Sequence, residues 1–390
     1  MVLPLTYNWR NLFVRKLSTS LTFGVITVVV GVLAVLLSFT EGIKSSLRSS
    51  GSDRNLLVLK KGATAESTSL INPEEAGRLV QTPGVALDKT GAPLISRELC
   101  VQTSIRRKGA DGKPANVGIR GIDPVGWQVH ADVRITEGDR FNEGEMEIIV
   151  GKAAAERYAG LAIGDTLELG RTQNQNYKVV GIFEAGGGAL ESEIWTSRGS
   201  LSNSYNRTFV SSALLRLRDD ADINAAKDYI EGSAVNLNPK TELEYYEELS
   251  SKSTQIVVLT SILIAIMAAG AVFAVANTMY AAVDGRRREI AMLRTIGFTK
   301  AAILFSIIIE SMMICLAACV LGLVGASFFS GRREDFLSDT TWTVLAYELR
   351  LTPTIIVVAI VVSTLVGIVG AVAPAAKASR TNILDALRKA

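Results

Sequence analysis

The stretch LTFGVITVVVGVLAVLLSF, Leu21 to Phe39, is long and apolar enough to cross a membrane as a helix. A hydrocarbon core of about 30 Å requires about 20 helical residues at about 1.5 Å each. The preceding segment YNWRNLFVRKLSTS is too polar for the start of a signal peptide, and no A-x-A-like cleavage site follows the apolar run. This stretch is therefore predicted to be an uncleaved membrane anchor.

Three further apolar runs are long enough to span a membrane, at residues 256–280, 303–329 and 354–373. The composition agrees, since 48% of the 390 residues are hydrophobic and the mean hydropathy is +0.29. Such values are typical of a membrane protein with a soluble part. The sequence thus predicts four transmembrane helices. The net charge of +3 gives no reason to expect nucleic acid as a partner.

Basic residues give the predicted orientation. Twelve lie in the N-terminal segment 1–20, the loop 281–302 and the tail 374–390. The short loop 330–353 instead carries three arginines against two aspartates and two glutamates. The positive-inside rule therefore places both termini in the cytoplasm and residues 40–255 outside it.

Residues 40–255 are predicted to form an α+β extracytoplasmic domain, inserted between the first and second transmembrane helices. Runs such as NLLVLKK, MEIIVG and YKVVGIF indicate strands, whereas PEEAGRLVQ and DINAAKDYIEG indicate helices. The polar, glycine-punctuated stretch Arg106 to Asn116 is predicted to be a hairpin tip, solvated or bound to a partner. Segments 41–50 and 242–252 have helical composition and are predicted to extend the adjoining spans as a stalk.

Catalytic chemistry is not indicated. The single histidine, His130, belongs to no recognisable catalytic or zinc-binding motif. Gly151-Lys152 lacks the upstream glycine and following Ser or Thr of a nucleotide loop, and Gly186 to Gly188 lack its lysine. We expect neither an enzyme nor a chain that holds a metal or cofactor.

Two motifs resemble those of a known family. Residues 277–298 read NTMYAAVDGRRREIAMLRTIGF, and residues 374–388 read PAAKASRTNILDALR. Both are similar to the signatures of the FtsX/MacB-like family of ABC transporter permeases, and ITEGDRF and YKVVGIF resemble the outer domain of its MacB-like branch. Ala291 and Phe298 depart from the usual pattern, since smaller residues are common at both positions. The likeness extends over nearly the whole chain but includes no fused ATPase domain.

The resemblance implies a chain organised as follows: a cytoplasmic amphipathic entry helix (1–20), transmembrane helix 1 (21–39), a periplasmic core domain with stalk ends (40–255), helix 2 (256–280), a cytoplasmic coupling loop (281–302), helix 3 (303–329), a short outer loop (330–353), helix 4 (354–373) and a cytoplasmic tail (374–390). It also implies residues that couple to an ATPase, polar residues inside the membrane, and a C-terminal motif. The coupling residues are Arg286, Glu289, Ile290, Leu293, Arg294 and Gly297, the intramembrane residues Asn277 and Glu310, and the motif residues Pro374, Leu387 and Arg388.

The partners implied by the resemblance are a separate cytoplasmic ABC ATPase subunit, which binds the ATP, and a second permease protomer. Membrane lipids, a periplasmic adaptor and an outer-membrane duct complete the expected set. Glycines that permit close helix packing favour a dimer: Gly31, Gly270, Gly322 and Gly325. The expected location is the bacterial inner membrane.

Three alternatives remain open at the level of sequence. Residues 284–301, with Ile290, Leu293 and Ile296 expected along one helical face, are either a coupling helix or a topology anchor on anionic lipid. Glu310 either takes part in gating or bonds to a neighbouring helix, for which Asn277 is a candidate. The function is either mechanotransmission that exports or extracts a hydrophobic or peptidic substrate, or FtsX-like signalling that controls a cell-wall hydrolase.

Overall fold

The computed structural model describes residues 16–48, 51–109, 113–171, 175–252, 254–337 and 344–380. Most of the predicted entry helix lies outside these ranges, as do Leu387 and Arg388 of the C-terminal motif. The chain divides into a membrane unit (Met1–Glu41, Thr254–Arg332 and Leu349–Ala390) and an outer unit (Gly42–Ser253 and Arg333–Glu348).

The described helices are, in chain order, α1 (Lys16–Arg48), α2 (Pro73–Arg78), α3 (Gly126–Val129), α4 (Lys152–Arg157), α5 (Arg198–Tyr205), α6 (Ile223–Glu231), α7 (Glu242–Lys252), α8 (Thr254–Asp284), α9 (Arg287–Thr295), α10 (Lys300–Ser327) and α11 (Pro353–Ser379). The described strands are β1 (Asn55–Lys60), β2 (Ile95–Arg106), β3 (Pro114–Ile122), β4 (Arg134–Gly138), β5 (Glu147–Gly151), β6 (Thr166–Leu169), β7 (Gln175–Glu184), β8 (Ile194–Ser197), β9 (Ser212–Arg216), β10 (Leu237–Thr241), β11 (Arg333–Leu337) and β12 (Val344–Glu348).

Four helices of the described residues are long and apolar enough to cross a membrane, which confirms the predicted number. The candidate spans are Thr19–Ile43 in α1, Val258–Asp284 in α8, Lys300–Ser327 in α10 and Pro353–Ser379 in α11. These helices are longer than the apolar runs seen in the sequence. Helix propensity continues past the apolar residues, so α1, for example, ends only at Arg48.

The membrane unit has a core of small and branched side chains from α1, α8, α9, α10 and α11, which includes Cys315 and Cys319. Two of the four glycines expected at helix contacts meet each other inside one chain. A Cβ added to Gly322 would lie 2.7 Å from the carbonyl oxygen of Thr27 and 3.1 Å from the backbone nitrogen of Gly31. Gly270 and Gly325 have open space beside them. Gly31 and Gly322 therefore serve the packing of α1 on α10.

The outer unit is built on a mixed sheet with the strand order β10-β1-β9-β2-β3-β8-β5-β7-β4, and β6 pairs with β7. The β3–β8 and β5–β7 pairs are parallel and the other pairs are antiparallel. One apolar core lies at the β1 and β9 end and contains Leu56, Leu215 and Ile230. A second lies at the β5 and β7 end and contains Ile148, Tyr158 and Val179.

Local signals in the sequence account for several elements of the outer unit. Asp222 caps α6 by accepting hydrogen bonds from the backbone N–H groups of Asn224 and Ala225. Pro73 begins α2, where its missing N–H costs nothing. The predicted hairpin is confirmed, because β2 and β3 pair antiparallel as far as Arg106 opposite Pro114. The α+β class predicted for this domain is also confirmed.

The predicted short outer loop, residues 330–353, contains an antiparallel hairpin that the sequence analysis did not foresee. Strands β11 and β12 pair from Arg333 opposite Glu348 to Leu337 opposite Val344. The hairpin belongs to the outer unit, where β12 lies beside the 3-10 turn Ala189–Ser192.

Candidate functional site

Helix α9 is set apart from its neighbours by two glycines. Gly285 follows α8, and Gly297 follows α9 with a φ of +108°, a backbone angle that residues with a side chain rarely adopt. The backbone N–H of Phe298 then donates to the carbonyl of Leu293 at 3.1 Å, which closes the end of the helix. Thr299 caps the next helix by accepting from the N–H of Ala302. The sequence therefore dictates a short separate helix between α8 and α10.

A buried ion pair joins this helix to α10. The two terminal nitrogens of Arg286 each donate to a different carboxylate oxygen of Glu310, and both distances are 2.9 Å. The side chains are only 14% and 6% exposed. Two parallel bonds between guanidinium and carboxylate fix orientation as well as distance. The sequence suggested Asn277 as the neighbour of Glu310, and this suggestion is wrong: Asn277 lies exposed on α8.

The ion pair lies in an apolar groove. The groove encloses about 430 Å³, part of it open to the surroundings. Removal of water from such a pair strengthens its attraction but makes either charge costly when its partner is lost. The lining residues come from α8, α9 and α10, together with Arg286 between α8 and α9: Met279, Ala282, Val283, Arg286, Ile290, Leu293, Ile303, Ser306, Ile307 and Glu310.

The two faces of α9 differ sharply in exposure. Ile290 is 6% exposed and packs in the core of the membrane unit, and Leu293 lines the groove. Ile296 is 70% exposed and Met292 is 49% exposed. The expectation that Ile290, Leu293 and Ile296 share one face is therefore wrong, because 100° per residue places Ile296 about 120° from Ile290.

The exposed face of α9 consists of Arg288, Glu289, Met292, Thr295 and Ile296. Arg288, Met292 and Thr295 were not predicted as site residues from the sequence, and Met292 is the apolar one among them. Its spacing of four residues from Ile296 was the available signal, since residues i and i+4 lie on the same side of a helix.

The remaining predicted site residues lie apart from the ion pair. Arg294 is partly exposed near the end of α9, and Pro374 is buried within α11. The structure adds Lys377 of α11, whose amino group lies 4.0 Å from a carboxylate oxygen of Asp284 and 5.2 Å from the ring centre of Tyr280. The sequence analysis counted Lys377 only for topology.

The site consists of contacts between helices of the membrane unit. Among the described residues, no group of three or more histidine, cysteine, aspartate or glutamate side chains is placed to hold a metal ion. Gly151-Lys152 lies where β5 leads into α4, but the carbonyl of Glu191 fills the space beside the glycine, 2.2 Å from an added Cβ. What the arrangement provides is a rigid attachment of α9 to α10 beneath an exposed apolar surface.

Two family models match this chain. The family model described as MacB-like periplasmic core domain matches residues 19–233, and the model described as FtsX-like permease C-terminal matches residues 261–383.

Two relatives illustrate the range of the match. The macrolide export ATP-binding/permease protein MacB of Bdellovibrio bacteriovorus is 25% identical over 93% of this chain, which spans only 57% of that protein. The lipoprotein-releasing system transmembrane protein LolC of Xylella fastidiosa is 24% identical over 97% of this chain and 95% of its own length. The periplasmic region of MacB from Actinobacillus actinomycetemcomitans aligns with 53% of this chain and 96% of its own, at 10% identity and a TM-score of 0.37.

Proposed function

Because this chain belongs to the family of ABC transporter permeases with a MacB-like periplasmic core domain and an FtsX-like C-terminal part, we propose that it couples a separate cytoplasmic ATPase subunit to movements of its outer domain. It is a multi-pass inner-membrane permease. We propose further that both termini and α9 lie in the cytoplasm, as the distribution of basic residues indicates.

The exposed Met292–Ile296 face of α9 is the observation that carries this proposal. An isoleucine that is 70% exposed in a short, arginine-rich segment is poorly placed unless another surface covers it. Apolar side chains flanked by charges are typical of the centre and rim of a protein interface. The opposite face of α9 is already used by the core and the groove. The exposed face therefore suits the surface of an ATPase subunit.

The Arg286–Glu310 pair would make this docking mechanically useful. A helix held to α10 by a buried, bidentate ion pair cannot shift without moving α10 or breaking the pair. Ile290 also ties α9 to the core of the membrane unit. Movement imposed on Met292 and Ile296 by ATP-driven closure would thus reach the spans. In this proposal Arg286 couples to the ATPase indirectly, through its ion pair with Glu310.

The transported material is proposed to be a hydrophobic or peptidic substrate that is exported or extracted from the membrane. The support is the match of the MacB-like model to nearly the whole outer domain and the likeness to MacB and LolC. A second protomer, an adaptor and an outer-membrane duct are proposed partners. Control of a cell-wall hydrolase remains the competing function.

Co-purification from native membranes in mild detergent tests the coupling proposal. Met292→Asp/Ile296→Asp places two charges on the exposed face of α9, and Leu87→Asp is the matched control, since Leu87 is 60% exposed in the outer unit. We expect wild type and control to retain an ATPase that hydrolyses ATP, and the α9 variant to lose it.

Each other outcome has a definite meaning. Retention of the ATPase by the α9 variant would refute docking through this face and favour a lipid-bound topology anchor. A wild-type sample without any ATPase would refute the central proposal. An adaptor beside the ATPase would select export, and a hydrolase would select signalling.

A further inference from the structure

The outer unit contains a buried set of charges that the proposed docking does not use. Glu66, Glu98, Arg120, His130 and Glu193 form what we call the Arg120 cluster. The guanidinium of Arg120, in β3, donates to Glu98 at 2.6 Å, to Glu66 at 2.7 and 2.8 Å, and to Glu193 at 2.8 and 3.0 Å. The Arg120 side chain is 4% exposed. Buried charges are costly unless each is paired, so the fold must place all of these side chains together.

The Arg120 cluster lies at the central strands and joins the two halves of the sheet. Glu66 follows β1 and accepts a hydrogen bond from Ser212 of β9 at 2.6 Å, on the side of the first core. Glu193 precedes β8 and accepts from the indole N–H of Trp195 at 2.9 Å, on the other side of β3. One guanidinium therefore holds side chains from both halves of the outer unit.

Helix α7, the segment that leads into α8, is attached to the same cluster. The backbone N–H of Glu66 donates to the hydroxyl of Tyr245 at 3.3 Å. Tyr245 and Tyr246 are 2% and 6% exposed, so α7 buries one face. Its other face carries surface ion pairs, Lys227 with Glu244 and Lys240 with Glu248.

The first residue of α7 also meets the chain that leaves the first span. The Glu242 carboxylate accepts from the side-chain amide of Asn55 at 2.9 Å and from the backbone N–H of Ser52 at 3.0 Å. Gly51 approaches so closely that an added Cβ would lie 3.0 Å from the backbone of Glu242 and Leu243. Residues 51–55 and the start of α7 are therefore in contact within the outer unit.

His130, a member of the Arg120 cluster, is also influenced by the charge of Glu242. Its Nε2 is 2.8 Å from a carboxylate oxygen of Glu98, and its ring packs 4.9 Å from that of Trp195. The charged groups that act on it are Glu98 of β2, Arg120 of β3 and Glu242 of α7. A protonated imidazole at this position balances a local excess of carboxylates.

We propose that His130 is the titrating element of a proton-sensitive latch that holds α7 on the sheet of the outer unit. The inference rests on the proposed function only for its consequence, which is that pH would change how firmly α7 is held within a moving outer unit.

The direction of the pH effect follows from three shifts. Burial alone would lower the pKa of His130, but the charge and hydrogen bond of Glu98, with a contribution from Glu242, raise it above 6.5. Burial raises the pKa of Glu242 above 4.5, although His130 opposes this. For Glu98, burial acts upward but His130 and Arg120 outweigh it and lower the pKa to about 2, so Glu98 stays ionised throughout.

Release of α7 would return Glu242 to water and remove its charge from His130. Both groups therefore bind protons more tightly when α7 is docked. The docked state loses stability as pH rises from the ordinary pKa of Glu242, about 4.5, through the raised pKa of His130. Docking of α7 is therefore more stable at acidic pH than above neutrality.

The full-length chain in lipid nanodiscs provides the test, without any ATPase. Because His130 is the single histidine, histidine-selective isotope labelling gives its pKa directly by NMR. Hydrogen–deuterium exchange of residues 242–252 is measured from pH 5.5 to 8.5 and corrected for intrinsic exchange with an unstructured peptide. We expect protection of α7 to fall through the measured pKa, by about tenfold for each unit by which docking raises that pKa.

Two variants and a control separate the latch from general destabilisation. His130→Gln keeps a hydrogen-bond donor for Glu98 but cannot titrate, so α7 protection should no longer change near the wild-type midpoint. Glu242→Gln keeps an acceptor for Asn55, and it should lower the measured pKa of His130 and flatten the profile. Lys240→Gln removes only a surface pair, so it should reduce protection at every pH with the wild-type slope.

Protection that does not change while His130 titrates would overturn the proposal, and so would a wild-type slope in both glutamine variants. Either result would leave ATPase docking at α9 untouched. Conversely, loss of the docking proposal would leave this exchange measurement unaffected.

Discussion

Removal of Arg286 should destabilise the membrane unit far more than removal of its neighbour Arg287. Arg286→Ala leaves the Glu310 carboxylate, 6% exposed, without a counter-charge among apolar side chains. Loss of one partner from a buried pair typically costs about 3–5 kcal/mol. Arg287 pairs with Asp284, but both side chains are about half exposed, at 49% and 48%. Arg287→Ala should therefore cost at most about 1 kcal/mol.

The opposite truncation should be milder. Glu310→Gln leaves an amide oxygen that can still accept from Arg286, and the guanidinium lies at the corner between α8 and α9 with 14% exposure. We expect about 1–3 kcal/mol, the usual cost of a weakened buried hydrogen bond. The double variant should cost no more than Arg286→Ala alone, since the charge left behind by that change is then also removed.

Equilibrium unfolding of the full chain in mixed micelles, followed by helical circular dichroism, measures all four variants under one condition. A double-mutant cycle then gives the coupling between the two positions. Equal losses of stability for Arg286→Ala and Arg287→Ala would refute the reasoning, because the buried Arg286–Glu310 pair would then be no stronger than the surface pair of Arg287 with Asp284. Additive single costs in the cycle would refute it as well.

Two further predictions follow from particular contacts. Gly322→Val should destabilise the membrane unit by about 1–3 kcal/mol, because the added side chain would force α1 and α10 apart. Gly325 faces open space, so Gly325→Val should cost much less. Thermal unfolding of the two variants measures the difference. The pKa of Glu98 is lowered to about 2. The ionised carboxylate therefore stabilises the fold above about pH 4.5, and this stabilisation, roughly 3 kcal/mol in all, is lost as pH falls toward 2. The free energy of unfolding of wild type should accordingly fall more steeply with pH in this range than that of Glu98→Gln.

The sequence by itself determined the membrane class, the number of spans and the α+β nature of the outer domain. Each of these depends on local properties: apolar run length, strand alternation, and turn or cap residues such as Pro73 and Asp222. The family signature around residues 277–298 is also continuous in the chain. Such patterns involve residues that are close in sequence, and these residues are also close together in the folded chain.

Tertiary structure alone decided which distant residues meet. Arg286 and Glu310 are 24 positions apart, beyond any helical repeat, and their pairing depends on the angle at which α8, α9 and α10 pack. The same is true of Gly31 against Gly322, and of Arg120, whose partners at 66, 98 and 193 come from separate elements. A buried charge is specified by the partners that surround it, and those partners share no periodicity in the sequence. The fold class could therefore be predicted from the sequence, whereas the Arg286–Glu310 pair and the Arg120 cluster could not.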